Sequence, residues 1–166
     1  MSTSKYYGTA GYKKTAAFID KYGEGIAEAI KDTGIFFPTV VGMKCLESGY
    51  GEKIPANSNN FGGVKFTEAM LGTVGVVGYV VASGIKWAKY DSIQSGFNAW
   101  AKFMKAERYK DARTLAKDPY EQVKMIAKAG YAGTQFKTNP QGYLDKCKAM
   151  VQAAYDYSKL LRIKSE

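Results

Sequence analysis

Phe18, Ile19, Tyr22, Ile26, Ala29 and Ile30 recur at three- and four-residue steps with polar residues between them, the spacing of one apolar stripe along a helix. This predicts a first helix over about Ala16 to Asp32, ended by Gly34 in a left-handed cap. Pro38 suits the first turn of a second helix, in which Val40, Val41, Met43 and Leu46 face inward and which stops at Ser48-Gly49. That helix is short and almost wholly apolar. It is expected to be the central buried one, with Glu47 as the polar group it carries to a surface.

From Gly62 to Tyr90 the pattern changes. Gly62, Gly63, Gly72, Gly75, Gly78 and Gly84 punctuate a stretch rich in Val, Tyr and Ile that cannot hold a helix. Val76 to Val81 and Ile85 to Tyr90 are predicted strands on either side of a hairpin turn at Ala82-Ser83-Gly84. Helical spacing returns with Ile93, Phe97, Trp100 and Met104 behind an Asp91-Ser92 cap, and a shorter helix is expected over Tyr109 to Ala116. Asp118-Pro119 opens the next, with Val123, Ile126 and Ala127 inward and a stop at Gly130. The last helix follows Asn139-Pro140 and puts Leu144, Cys147, Val151, Ala154, Tyr155, Ser158 and Leu161 on one face. The order of elements implies an α+β fold, in which a mainly helical lobe and a small β-hairpin lobe face each other across a cleft.

A chain of 166 residues, 46% of them hydrophobic, is long enough for one domain with its own core, expected over residues 15–166. Met1 to Lys14 contain no apolar run and read as a flexible N-terminal arm, neither signal peptide nor membrane anchor. On this reading the protein is cytoplasmic, leaves by another route, or has been trimmed. Histidine is absent, which removes Ser-His-Asp and Cys-His nucleophile systems and the usual ligands of catalytic zinc. Cys45 and Cys147 both fall on apolar helical positions and read as buried thiols, with a disulfide as the alternative. A net charge of +9 suits a polyanionic partner. Nucleic acid, anionic lipid and bacterial cell wall all qualify, but the lysines are spread along the chain and form no nucleic-acid module; solvated helix faces explain them equally well.

Glu47 in Lys44-Cys45-Leu46-Glu47-Ser48-Gly49-Tyr50-Gly51 is the residue with the sharpest chemical implication. A helix C-terminus carries roughly half a negative charge, so a carboxylate there that is shielded from water is pushed toward its protonated form. A protonated carboxyl near neutral pH is a general acid, and glycoside cleavage is a common reaction built on one. An ordinary solvated Glu at a helix end is the competing reading.

Phe37-Pro38-Thr39-Val40, Leu46-Glu47-Ser48-Gly49-Tyr50-Gly51, Asn60-Phe61-Gly62-Gly63-Val64-Lys65, Tyr90-Asp91-Ser92 and Gly130-Tyr131-Ala132 in this order resemble glycoside hydrolase family 73, the flagellar-type and autolysin-type endo-β-N-acetylglucosaminidases of the lysozyme-like superfamily. The likeness runs from about Phe18 to Leu161. It implies a lysozyme-like fold and a monomeric, metal- and cofactor-free enzyme that cuts peptidoglycan glycan strands after N-acetylglucosamine, binding neither nucleic acid nor membrane. Its place of action would be the bacterial wall, in the periplasm or outside the cell, reached by another export route or from a phage. Glu47 matches the family's general acid and Tyr131 a cleft tyrosine that supports catalysis. Asn60 and Lys65 match the family's loop residues, and Tyr50, Phe61, Tyr90 and Trp87 offer aromatic faces to sugar rings or to the core.

Three departures stand out. Gly62 replaces a usual Phe, the segment between Gly130-Tyr131-Ala132 and Asn139-Pro140-Gln141-Gly142-Tyr143 is longer than in family members, and Ala69 to Tyr90 contains no acidic residue that would serve as the second carboxylate. Glu68 is the nearest candidate for that role, ahead of Glu52 and Asp91. Without one, the substrate's own 2-acetamido group would stabilise the oxocarbenium-like state. A lytic transglycosylase or muramidase of the same fold, and a non-catalytic glycan-binding module, remain open alternatives.

Overall fold

The computed structural model describes Lys5, residues 7–131 and residues 133–165. The first helix, α1 (Ala10–Ile30), is capped by Thr9, whose side chain accepts a hydrogen bond from the Tyr12 amide at 3.2 Å. It starts before the expected Ala16, so the stretch expected to be an arm through Lys14 is helical from Ala10 on. Tyr12 and Thr15 are buried and lengthen the apolar stripe by a turn, which the intervening Lys13-Lys14 pair had masked. Met1 to Ser4 and Tyr6 lie outside the described residues. The helix also ends earlier than expected, at Ile30, because Asp32 already has a left-handed backbone at φ 61°.

Helix α2 (Phe37–Ser48) has Pro38 in its first turn and is capped by Gly49, whose φ of 54° and N–H to the Cys45 carbonyl make the left-handed stop that its sequence predicts. Thr39 to Cys45 are all buried, and α2 packs against α1, α5 and α7 at the centre of the molecule. Its contact with α7 is close: a Cβ added at Gly42 would stand 2.5 Å from Val151 Cγ2 and 3.0 Å from the Val151 backbone nitrogen. Gly42 lets the two backbones meet.

The hairpin is as expected, with β1 (Val76–Ala82) antiparallel to β2 (Ile85–Tyr90) and an irregularity between Val76 and Gly78. Ser83 and Gly84 both have positive φ, 52° and 73°, which matches the right-handed twist of a two-residue hairpin. Val64 to Phe66 add a short stretch alongside β2, through Ala88 N–H to Val64 O and Phe66 N–H to Lys86 O, both 2.9 Å. A single 3₁₀ turn (Glu68–Met70) joins this stretch toward β1.

Helix α3 (Ile93–Phe103) is capped by Ser92; a 3₁₀ turn (Glu107–Tyr109) leads into α4 (Lys110–Leu115), and Asp118 caps α5 (Pro119–Lys128). Helix α6 (Gly133–Thr138) occupies the segment that looked like an insertion and has no periodicity to announce it. Helix α7 (Pro140–Ser165) buries Leu144, Cys147, Val151 and Ala154 as expected, but Tyr155 and Leu161 are exposed. Tyr155 lies on the outward face of α7, since Tyr157, two residues on, still packs against the core and the Tyr12 ring. Cys45 and Cys147 are both free and buried. Among the described residues no helix is long and apolar enough to cross a membrane.

Candidate active site

Between the helical lobe and the hairpin lies a cleft of about 1070 Å³. Leu46, Glu47, Trp100, Phe103, Tyr131 and Tyr143 line its helical side, and Val64, Lys65, Met70, Val76 and Tyr90 line the side formed by the β lobe. Glu47 therefore reaches this cleft from the last turn of α2, where the sequence placed it. Its side chain is 17% exposed and faces the open space. Burial raises the pKa of its carboxyl, opposed first by the charge of Lys44 and then by hydrogen bonding from Tyr131.

Tyr131 is held by a donor-only partner. The Trp100 indole N–H donates to the Tyr131 hydroxyl oxygen at 2.8 Å, which leaves the phenol's own proton free to be donated to Glu47. Burial, then the neighbouring carboxylate, push the Tyr131 phenol well above its ordinary range, so it remains a neutral donor. A neutral donor beside the carboxyl does not compete for its proton. Ala132 of the same motif lies outside the described residues.

Of the residues expected to bind substrate, Lys65 and Tyr90 line the cleft. Asn60 does not. It is 1% exposed and spends its amide on the backbone: Nδ2 donates to Val64 O at 2.8 Å and Ala88 O at 2.9 Å, and Oδ1 accepts from the Val64 N–H at 3.0 Å. Phe61 is a core ring against Phe18, Tyr22 and Phe97. Tyr50 stacks under Lys14 and sits beside Gly11 of α1, away from the cleft lining. Trp87 is half-buried and donates its indole N–H to Ala82 O within the hairpin. In each case the aromatic or amide type was right for a sugar site, but packing consumed it.

The candidates the sequence offered for the second carboxylate lie outside the cleft lining. Glu68 is exposed on its 3₁₀ turn, Glu52 is exposed, and Asp91 accepts from the Ser95 hydroxyl at the start of α3; none of them lines the cleft. Among the described residues Glu47 is the only carboxyl in the lining, beside three cations, Lys65, Lys102 and Lys105. No three His, Cys, Asp or Glu of the described residues come together as a metal site.

Trp100, Lys44, Lys102 and Lys105 were missed as site residues. For Lys44 a signal existed: it is the one charge among Val40 to Leu46 and lies three residues before Glu47, one helical turn away.

A single shielded acid at the end of a buried helix, with a neutral tyrosine on it and a groove beside it, is an arrangement for protonating a leaving oxygen. Residues 23–156 match the glucosaminidase family, described as mannosyl-glycoprotein endo-β-N-acetylglucosaminidase. The chain belongs to this family. It is a glycoside hydrolase, as the motif order led one to expect. No curated protein sequence matches it significantly. Among solved structures it is similar to the glycoside hydrolase domain of FlgJ from Salmonella typhimurium, with 24% identity and a TM-score of 0.69 over 91% of this chain and 94% of that one. The peptidoglycan hydrolase from Sphingomonas sp. A1 is 21% identical, with a TM-score of 0.67 over 87% of this chain and 94% of the other. A type VI secretion system effector-immunity complex from Pseudomonas protegens has 19% identity and a TM-score of 0.63 over 92% and 99%. At these identities the likeness establishes the fold: the enzyme is mainly helical, with one small antiparallel sheet facing the cleft.

Proposed function

We propose that the enzyme hydrolyses the glycan strand of peptidoglycan at N-acetylglucosamine, with Glu47 as the general acid and Tyr131 as the neutral donor that orients it. The observation that carries this reading is Glu47 itself, a carboxyl raised in pKa by burial and standing alone in a groove of about 1070 Å³. Glu47 protonates the departing glycosidic oxygen, and the substrate's 2-acetamido group stabilises the positive charge that develops at the anomeric carbon. The carboxylate left behind then takes a proton from the attacking water. Phe103, which is exposed, gives the groove an apolar ring face, and Lys65, Lys102 and Lys105 give it positive charge that suits strands bearing carboxylates. Neutral glycans would gain nothing from those lysines. The enzyme acts as a monomer at the bacterial cell wall, through a single domain that includes α1 from Ala10 onward.

The test is Glu47→Gln, which keeps the shape and removes the transferable proton. Release of muropeptides from sacculi should fall at least about a thousandfold with the melting temperature unchanged, and a fully active variant refutes the assignment. One observation favours a second reading: with no other carboxyl in the cleft lining among the described residues, a lytic transglycosylase, which returns the sugar's own hydroxyl, needs only the acid present. Mass spectrometry decides between them. A hydrated reducing-end N-acetylglucosamine supports hydrolysis, and an anhydro-muramyl end supports transglycosylation.

A further inference from the structure

Lys44 is the most improbable residue in this core. It is 1% exposed in the middle of α2, and its Nζ lies 3.6 Å from Glu47 Oε2, which is too far for a hydrogen bond but within ion-pair range. The ammonium sits 4.4 Å from the centre of the Trp100 ring and has no hydrogen-bond partner. Burying a cation with three unmatched N–H groups is costly, and an apolar side chain of the same length would fill the slot without that cost. The slot itself depends on Gly62: a Cβ there would stand 2.8 Å from Lys44 Nζ and 3.4 Å from Trp100 Cδ1. The glycine that departs from the family's usual Phe is therefore what leaves room for the lysine.

We propose that Lys44 is a positioning residue that sets the pH range over which Glu47 can act as an acid, by holding a buried ammonium beside its carboxyl in the space Gly62 leaves open. The proposal rests on Glu47 being the general acid. Of the other titratable groups near Glu47, Tyr131, from the turn after α5, acts on it, and Tyr143 and Cys147, from α7, feel its charge. Burial raises the pKa of all three, Cys147 to about 12, so they are uncharged near neutral pH. The hairpin side brings Tyr90 and Lys65, while Lys102 of α3 and Lys105 just beyond it share the cleft. Lys44 is the cation in ion-pair range of the carboxyl. It favours the ionised form, against the burial that favours the protonated one. Glu47 is then a stronger acid that loses its proton at a lower pH.

The experiment is the pH profile of kcat on purified sacculi, followed by release of reducing ends, for the wild type, Lys44→Met, Gly62→Ala and Glu47→Gln. Removing a cation at this distance shifts a carboxyl by about 1 to 3 units, so the alkaline limb of Lys44→Met should move up by at least about one pH unit, with KM little changed. Gly62→Ala should move the limb in the same direction by a smaller amount, since its methyl displaces the ammonium and leaves the lysine in place. If Lys44→Met does not fold, Gly62→Ala decides the matter alone. Limbs that stay at the wild-type pH in the folded variants overturn the proposal. Retained activity in Glu47→Gln instead overturns the assignment of the acid, so the two failures are told apart.

Discussion

Asn60→Ala tests whether the motif asparagine binds sugar or builds the wall of the cleft. The substitution deletes three hydrogen bonds, two donated to the carbonyls of Val64 and Ala88 and one accepted from the Val64 N–H. The Ala88 residue is fully buried, so water cannot replace the lost partner there. At about 1 kcal/mol net for each bond, plus the cost of stranding buried backbone groups, the loss comes to about 3 to 5 kcal/mol. That is a large share of the roughly 5 to 15 kcal/mol by which a domain is stable. In a chain of this size each kcal/mol lowers the melting temperature by about 2 to 4 °C, so a fall of roughly 6 to 20 °C is expected. The segment Asn60 ties down also carries Gly62, Gly63, Val64 and Lys65 into the cleft, and KM should rise as it loosens. Urea unfolding followed by tryptophan fluorescence measures the first effect, and initial rates on sacculi well below the melting temperature measure the second. A variant with wild-type stability and a raised KM would refute the structural role and return Asn60 to the substrate.

Trp100→Phe removes the indole donor from Tyr131, and loss of one such bond should lower kcat about five- to tenfold. Because the tryptophan is argued to act through the tyrosine, a cycle with Tyr131→Phe should be strongly non-additive, and additive losses would break that link. Gly42→Ala forces α2 and α7 apart at Val151 and should destabilise the fold by about 1 to 3 kcal/mol in urea; an unchanged midpoint would mean the helices can separate freely. Lys44 makes stability depend on pH in a defined direction. Burial depresses its pKa from 10.5 to about 8, so between those values the unfolded chain binds the extra proton and wild-type stability rises with pH relative to Lys44→Met. The gain is on the order of a few kcal/mol, and a stability difference between the two proteins that stays flat from about pH 8 to 10.5 would contradict it.

Most of what local patterning can encode was legible in advance. The stripe through Phe18, Ile26 and Ile30, the Pro38 start and Gly49 stop of α2, and the Ser83-Gly84 hairpin turn all depend on neighbours within four residues, and all formed where the spacing put them. Helix α6 was missed because its six residues carry no apolar period, and the early start of α1 because two lysines interrupt its stripe. Glu47 was legible as a carboxyl at the cleft because its place follows from the end of its own helix, while the burial that raises its pKa comes from other elements. Asn60, Phe61 and Tyr50 fall outside the cleft lining because residue type tells what a side chain can bond to, while the partner it meets comes from another element.

The sequence by itself determined the order and faces of the elements and delivered one carboxyl to a helix end, since those follow from periodicity, capping and turn chemistry along a few residues. Only the tertiary structure decided that Lys44 meets Glu47 under Trp100 in the space left by Gly62, that Trp100 holds Tyr131, and that none of Glu52, Glu68 and Asp91 lines the cleft. Apart from the Lys44–Glu47 pair within α2, those placements join residues tens of positions apart. Such meetings are set by how buried surfaces pack together, which no local pattern records.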